Sequence, residues 1–410
     1  MSQSEASQED HFGAFVAFSD RSLLTDHGSL KRLRFAVKDL VETSGRLPSY
    51  GLSAPSGPLP QSDAPVLTRL LSSGTSLTGF TKMTPLAYEP SGDNPVQGRP
   101  QNPWSARHIC GGSSSGSAVA VAARLVDFAL GSDTGGSLRI PAHCCGVAAW
   151  KPTYGLVPVA GTMELAPSLD TLGFIANECE ILLHVASVFD AQSCTPISSV
   201  RVARDVALGF APDIVAGLER AASALRSLGY SLADAEISPL ITACDSPVLT
   251  VMQAEAARVN LSRIEAGGLD ATLSARLRKG MAIDAAALLK AKNDLHLLAE
   301  NDWLTLLGAS NAVLLPVMRN RTPEVNVCDP TSPQFSPRTL YELSALTRWV
   351  NGLGLPAVAI PVGLDGEGLP IAVQLVGCRG SDLTLLGLAC ALQSAVASVP
   401  PAPASYGSSA

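Results

Sequence analysis

Residues 111–152 read GGSSSGSAVAVAARLVDFALGSDTGGSLRIPAHCCGVAAWKP. Two glycine–serine turns, 111–117 and 131–137, bracket a nearly uncharged Ala/Val run from Ala118 to Val126. That run is apolar all round and predicts a buried helix. Phe128 to Leu130 predicts a short buried strand feeding the second turn, and a short helix is expected from Leu138. Glycines let backbone N–H groups approach a ligand and adopt φ values that other residues avoid. Consecutive N–H groups in such a turn form an anion-binding nest. Ser137 closes Thr134-Gly135-Gly136-Ser137, so it would sit beside its own oxyanion hole. A single Gly-Gly-Ser reads as a tight strand-to-helix turn without chemistry. Two such turns joined by a buried helix shift the odds towards a site.

Working outward, Leu33 to Leu40 predicts a strand ending near Lys38. Pro65 to Ser73 predicts a helix stopped by Gly74, and Leu77 to Phe80 a short strand. Residues 46–65 and 91–107 are loops rich in Pro, Gly and Ser. Further on, Pro212 to Leu228 predicts an amphipathic helix ending at Gly229, and residues 247–308 a largely helical region. Asn311 to Val317 predicts a buried strand, followed by the Pro-rich loop Arg319 to Pro337. Two strands, Leu355–Val362 and Leu369–Val376, are joined by a turn at Asp365-Gly366, and Asp382 to Val396 predicts a final helix. Strands and helices alternate, so the fold class is α/β: a large mixed, mostly parallel central sheet flanked by helices on both faces. No repeat and no linker appears, and one domain over 1–410 is expected. Its core would come from 30–180 and 310–400, with a variable, substrate-shaping helical region at about 200–310.

The chain has 410 residues, 46% hydrophobic and 16% charged, which suits a large buried core and excludes disorder. A net charge of −7 argues against nucleic acid, which requires clustered Lys and Arg. No apolar stretch reaches the roughly 20 residues of a membrane span, and the polar start shows no signal peptide. The nine cysteines contain no C-x-x-C and read as reduced thiols of a cytoplasmic protein. The six histidines contain no H-E-x-x-H, so no metal and no cofactor is expected. Neither turn fits a phosphate-binding G-x-x-x-x-G-K-[ST]. Gly112-Ser113-Ser114-Ser115-Gly116 formally satisfies G-x-S-x-G, but the nucleophile elbow needs a preceding buried strand, and Trp104 to Cys110 is polar. His143, His184 and His296 offer no distinguishable triad partner.

Residues 111–152 closely resemble the amidase signature family. The resemblance extends to Phe35-Ala36-Val37-Lys38-Asp39, Asp63-Ala64-Pro65-Val66, Lys151-Pro152-Thr153-Tyr154-Gly155, Ser168-Leu169-Asp170-Thr171, Gly354-Leu355-Pro356-Ala357 and Gly368-Leu369-Pro370. It covers most of the chain outside roughly 200–310. Within the family, the Ser113–Ser137 stretch looks most like plant indole-acetamide hydrolases, with broad-specificity bacterial amidases also similar. The resemblance implies the amidase signature fold and a Ser–cisSer–Lys triad: Ser137 as nucleophile, Ser113 after a cis Gly112–Ser113 peptide as bridge, and Lys38 as proton acceptor. It implies an oxyanion hole of backbone N–H groups at Thr134, Gly135, Gly136 and Ser137, and substrate contacts at Met83, Gly112 and Asp133.

The residues themselves agree. A serine hydroxyl needs a base. A lysine is a base only when burial lowers its pKa, and Phe35, Val37 and Leu40 give Lys38 an apolar setting. From that segment alone, Lys38 reads as an exposed strand-end lysine paired with Asp39, and Ser113 and Ser115 as helix caps. The resemblance reverses both readings.

Two departures stand out: Lys82 replaces an asparagine, and Cys110 a proline. Both are expected near the pocket mouth. Cys144 and Cys145 should pack rather than react. Specificity is expected from 46–65, 83–103, 247–308 and 319–337. Leu52, Met83, Leu86, Phe335 and Trp349 suggest a neutral small-molecule amide or carbamate, aromatic ones included, and each reads equally as core. Carbamate (urethane) and aryl ester hydrolysis use the same triad. Other classes are a glutaminase-like amidotransferase subunit, which needs protein partners, and a non-catalytic binding relative. A homodimer is among the assemblies considered.

Overall fold

The computed structural model describes residues 10–21, 27–53, 57–191, 196–396 and 399–403. Its first strands are β1 (Phe15–Phe18), β2 (Arg34–Lys38), β3 (Ser76–Thr81), β4 (Phe128–Asp133), β5 (Ala148–Lys151) and β6 (Thr171–Ala176). The rest are β7 (Ser199–Ala203), β8 (Ser231–Ala235), β9 (Ala312–Pro316), β10 (Ala357–Leu364) and β11 (Pro370–Gly377). All eleven join one sheet in the order β1-β3-β2-β4-β6-β5-β10-β11-β9-β7-β8.

Side chains alternate across a strand, and here both faces are buried. Phe35, Val37, Phe128, Leu130, Trp150, Phe174, Val358 and Ile360 face one core. Against them lie α1 (Pro65–Ser72), α4 (Cys179–Ser187), α5 (Pro212–Ser227) and α10 (Asp382–Ala395). The intervening Ala36, Ala129, Ala149, Ile175 and Ala359 face a second core. Small residues on that face let α2 (Ser115–Ala122) and α3 (Arg139–Cys145), themselves rich in small side chains, lie close to the sheet. A third core joins β9 to the helical excursion α6 (Ser238–Val259) and α8 (Ala285–Leu297), and to α9 (Arg348–Gly352). Between α6 and α8 runs α7 (Ala271–Met281).

The sheet is mixed and flanked by helices, as expected, but not mostly parallel. Among the described residues four strand pairings are parallel and six antiparallel. Parallel pairing holds around β2 and around β7. Between them, β6 and β5 run antiparallel to their neighbours. β10 and β11 form a tight hairpin closed where the Asp365 N–H donates to the Leu369 carbonyl at 2.8 Å. A hairpin needs only a short turn, whereas parallel neighbours need a crossover.

Parallel β3, β2 and β4 place Lys38, at the end of β2, beside the end of β3 and close to the turn that follows β4.

Candidate active site

Lys38 is fully buried. Its Nζ lies 2.7 Å from Ser113 Oγ, 2.8 Å from Ser132 Oγ and 3.1 Å from Ser114 Oγ. The adjacent Asp39 does not neutralise it. That carboxylate pairs with Arg46 at 2.6 Å and accepts the Ser49 N–H at 3.0 Å. Burial lowers the Lys38 pKa to about 7, against a weaker upward pull from Asp133 and Asp170. The expected strand-end lysine is thus an interior amine whose partners are hydroxyls.

The Gly112–Ser113 peptide is cis. A side chain at Gly112 would put its Cβ 2.7 Å from the Gly92 nitrogen and 2.9 Å from the Glu89 oxygen. Gly112 is therefore a packing requirement; its N–H donates to the Pro90 carbonyl at 2.7 Å. The Ser113 carbonyl accepts the Thr84 N–H at 3.3 Å.

The second turn hangs on Asp133, and here expectation needs correcting. Asp133 is fully buried. Its carboxylate accepts the Gly136 N–H at 2.7 Å, the Leu138 N–H at 3.2 Å, Arg139 Nε and Nη2 at 3.1 and 3.0 Å, and Asn351 Nδ2 at 2.9 Å. Burial alone would raise its pKa, but Arg139, with help from Lys151 and Asn351, holds it at about 2. A carboxylate so engaged has no capacity for substrate; it shapes the turn. Gly136 must likewise leave the expected oxyanion set, because Asp133 consumes its N–H. Its φ is +131°, and a Cβ there would sit 2.2 Å from Thr347 Oγ1. The N–H groups of Thr134, Gly135 and Ser137 have no acceptor among the described residues. Three amides of this turn thus remain without a partner among the described residues.

Ser137 is half-buried, and its carbonyl accepts the Ser114 N–H at 3.2 Å. Its hydroxyl makes no hydrogen bond among the described residues. Ser113 Oγ is thus hydrogen-bonded to Lys38, and no hydrogen bond joins Ser137 to Ser113 among the described residues. Such bonds are often long in unliganded sites and tighten around substrate. Met83 departs from expectation: it is fully buried in the main core, and its carbonyl accepts Asn94 Nδ2 at 2.7 Å.

Sequence reasoning missed several partners. Ser114 and Ser132 adjoin residues already singled out; the run of three serines was the only signal for Ser114, and its place in the second glycine–serine turn the only one for Ser132. Thr347 Oγ1 donates to the Gly135 carbonyl at 2.7 Å, and Thr134 Oγ1 to Asp170 at 2.6 Å. Arg139 also reaches Gln374 Oε1 at 2.9 Å and Asn351 Oδ1 at 2.7 Å.

A cavity of about 290 Å³ lies against the loop that covers Gly112. Three of the four expected specificity segments line it: 85–95, 270–276 and 328–331. None of the lining comes from 46–65. The apolar candidates do not line it either. Met83, Leu86 and Trp349 are buried core, and Leu52 and Phe335 pack on core clusters. Glu89, in the cavity wall, accepts Ser91 N–H and Oγ–H at 2.9 and 2.8 Å, and burial raises its pKa to about 7.

Cys110 is not at a pocket mouth: it is fully buried, and its Sγ donates to the Pro100 carbonyl at 3.4 Å. Burial pushes its thiol up to about 12 and raises those of Cys144 and Cys145 well above the usual range, so all three favour the unreactive thiol form. His143 accepts the Ala372 N–H through Nδ1, with its pKa lowered by burial to about 4.

Residues 19–386 match the Amidase family. The chain belongs to the amidase family. A glutamyl-tRNA(Gln) amidotransferase subunit of Neisseria meningitidis serogroup C / serotype 2a is 31% identical over 378 residues, covering 80% of this chain and 77% of the relative. Amidase 1 of Arabidopsis thaliana is 30% identical over 419 residues, covering 92% and 97%. The fold is that of a solved amidase crystal structure, with a TM-score of 0.85, 26% identity, and coverage of 96% and 94%. This amidase-family chain is an enzyme of carbon–nitrogen bond hydrolysis. Among its described residues no helix is long and apolar enough to cross a membrane.

Proposed function

We propose that this amidase hydrolyses a small linear amide through an acyl-enzyme on Ser137. The observation that carries the reading is the 2.7 Å contact between a fully buried Lys38 Nζ and Ser113 Oγ. The neutral amine takes the Ser113 proton as Ser113 takes that of Ser137, whose oxygen attacks the carbonyl carbon. The N–H groups of Thr134, Gly135 and Ser137 hold the resulting oxyanion. Collapse breaks the C–N bond, and the proton returns through Ser113 to the leaving nitrogen. Water then attacks the acyl carbon, gives its proton to the same relay, and releases the acid and Ser137. Only the neutral amine accepts a proton, so turnover rises with pH through about 7 and levels off above it. A carbamate or aryl ester carries the same carbonyl and enters the same steps.

The 31% identity to an amidotransferase subunit favours a second reading, in which glutamine is the amide and a partner protein takes the ammonia. Turnover of aryl amides, primary amides, carbamates, esters and glutamine by the purified chain, with Ser137→Ala as control, separates the readings. Aryl or primary amide hydrolysis by the chain alone, lost in Ser137→Ala, is expected. Hydrolysis that survives Ser137→Ala contradicts the proposal.

A further inference from the structure

A neutral lysine amine has two N–H donors and one lone pair, and Lys38 Nζ faces three hydroxyls. Ser114 is already decided: its hydroxyl donates to the Ser132 carbonyl at 3.1 Å, so it accepts from Lys38. One N–H and the lone pair remain for Ser113 and Ser132. If Ser132 accepts, the lone pair faces Ser113 and the relay works. If Ser132 donates, the lone pair is occupied and Ser113 receives an N–H, which blocks it. The outcome depends on where the Ser132 proton goes, and among the described residues no protein acceptor takes it.

Ser132 lines a second cavity, of about 40 Å³, shared with Thr134, Asp170 and Thr171. A water molecule needs roughly 10–15 Å³ and two to four polar partners. Thr171 is 2% exposed, and its hydroxyl oxygen is buried with no hydrogen-bond partner. Asp170 holds a carboxylate there, pinned by Thr134 Oγ1 and by the N–H groups of Leu165 and Ala166.

We propose that this cavity binds an ordered water that accepts the Ser132 hydroxyl proton, bonds to Thr171 and Asp170, and so turns the Lys38 lone pair towards Ser113. The inference rests on the proposed relay. Ser132, Thr171 and Asp170 are then positioning residues: none touches substrate, and each acts through the direction of a hydrogen bond.

The test is the rate of Ser137 labelling by a fluorophosphonate, which reports nucleophile activation without a known substrate. Thr171→Val should slow the saturating labelling rate by about five- to tenfold, the equivalent of one neutral hydrogen bond, and leave the half-saturating probe concentration unchanged. Thr171→Ser, which keeps the hydroxyl, should restore the rate. A crystal structure of the unmodified chain should show a water within hydrogen-bond distance of Ser132 Oγ and Thr171 Oγ1; this outcome does not depend on any variant folding. Labelling of Thr171→Val at the unmodified rate, or a dry cavity in the crystal, overturns the inference. Labelling that survives in Lys38→Met overturns the relay itself, whatever the cavity holds.

Discussion

Lys38 and Lys151 are both fully buried, and burial lowers both to a pKa of about 7. They differ in what their amines face. Lys38 meets three hydroxyls, one of which leads towards Ser137. Lys151 donates to the Pro152 carbonyl at 2.8 Å, in a field that mixes Arg139 with Asp133 and Asp382. A carbonyl has no proton to give. A shifted pKa marks a buried lysine as unusual, and the chemistry of its partner decides whether it is a base.

The largest effect should separate the two. Lys38→Met should lower turnover by roughly 10³-fold or more, since positioned acid–base catalysis is worth about 10²–10⁴ and the triad acts as a unit. Lys151→Met should stay within about tenfold of the unmodified enzyme. Equal losses, measured as kcat on one aryl amide, break the comparison.

Next comes the network that fixes the second turn. Arg139→Leu leaves Asp133 buried and unpaired, and should cost about 3–5 kcal/mol in urea unfolding. A loss under about 1 kcal/mol would mean that Asp133 finds another partner.

Stability against pH should treat the two lysines alike. Each folded pKa lies near 7, below the usual 10.5, so the unfolded chain binds more protons between those values. Stability therefore rises with pH across that window and is least below it. Either Lys→Met variant should flatten the rise, by an amount on the order of a few kcal/mol in total. A variant with an unchanged profile would show that its lysine titrates normally.

The smallest effect belongs to Thr347→Val, which removes the hydrogen bond to the Gly135 carbonyl. About 1 kcal/mol of stability and less than tenfold in rate are expected.

The candidate triad was legible through the resemblance: taken alone, Lys38 is a strand-end lysine, Ser113 lies inside a glycine–serine turn and Ser137 closes another, and only the family pattern links the three segments. The hairpin β10–β11 was legible from its turn. What stayed hidden depends on distance. Asp133 looked free because its partners include Asn351, far along the chain, and Arg139, whose own neighbour Gln374 is equally remote. That same engagement withdrew Gly136 from the oxyanion set. β5 and β6 are short runs, AAWK and TLGFIA, with no alternation to separate them from loops, and without them the sheet reads as parallel. Apolar residues in loop-like segments, such as Met83 and Leu86, have no sequence mark that tells core from pocket.

The most direct measurement is the pH dependence of Ser137 labelling by a fluorophosphonate, with the labelled residue located by peptide mass mapping. The account predicts a single adduct on Ser137, a rate that rises through about pH 7 to a plateau, and labelling that collapses in Lys38→Met but persists in Lys151→Met. An adduct on another residue, or a Lys38→Met enzyme that labels as fast as the unmodified one, would contradict it.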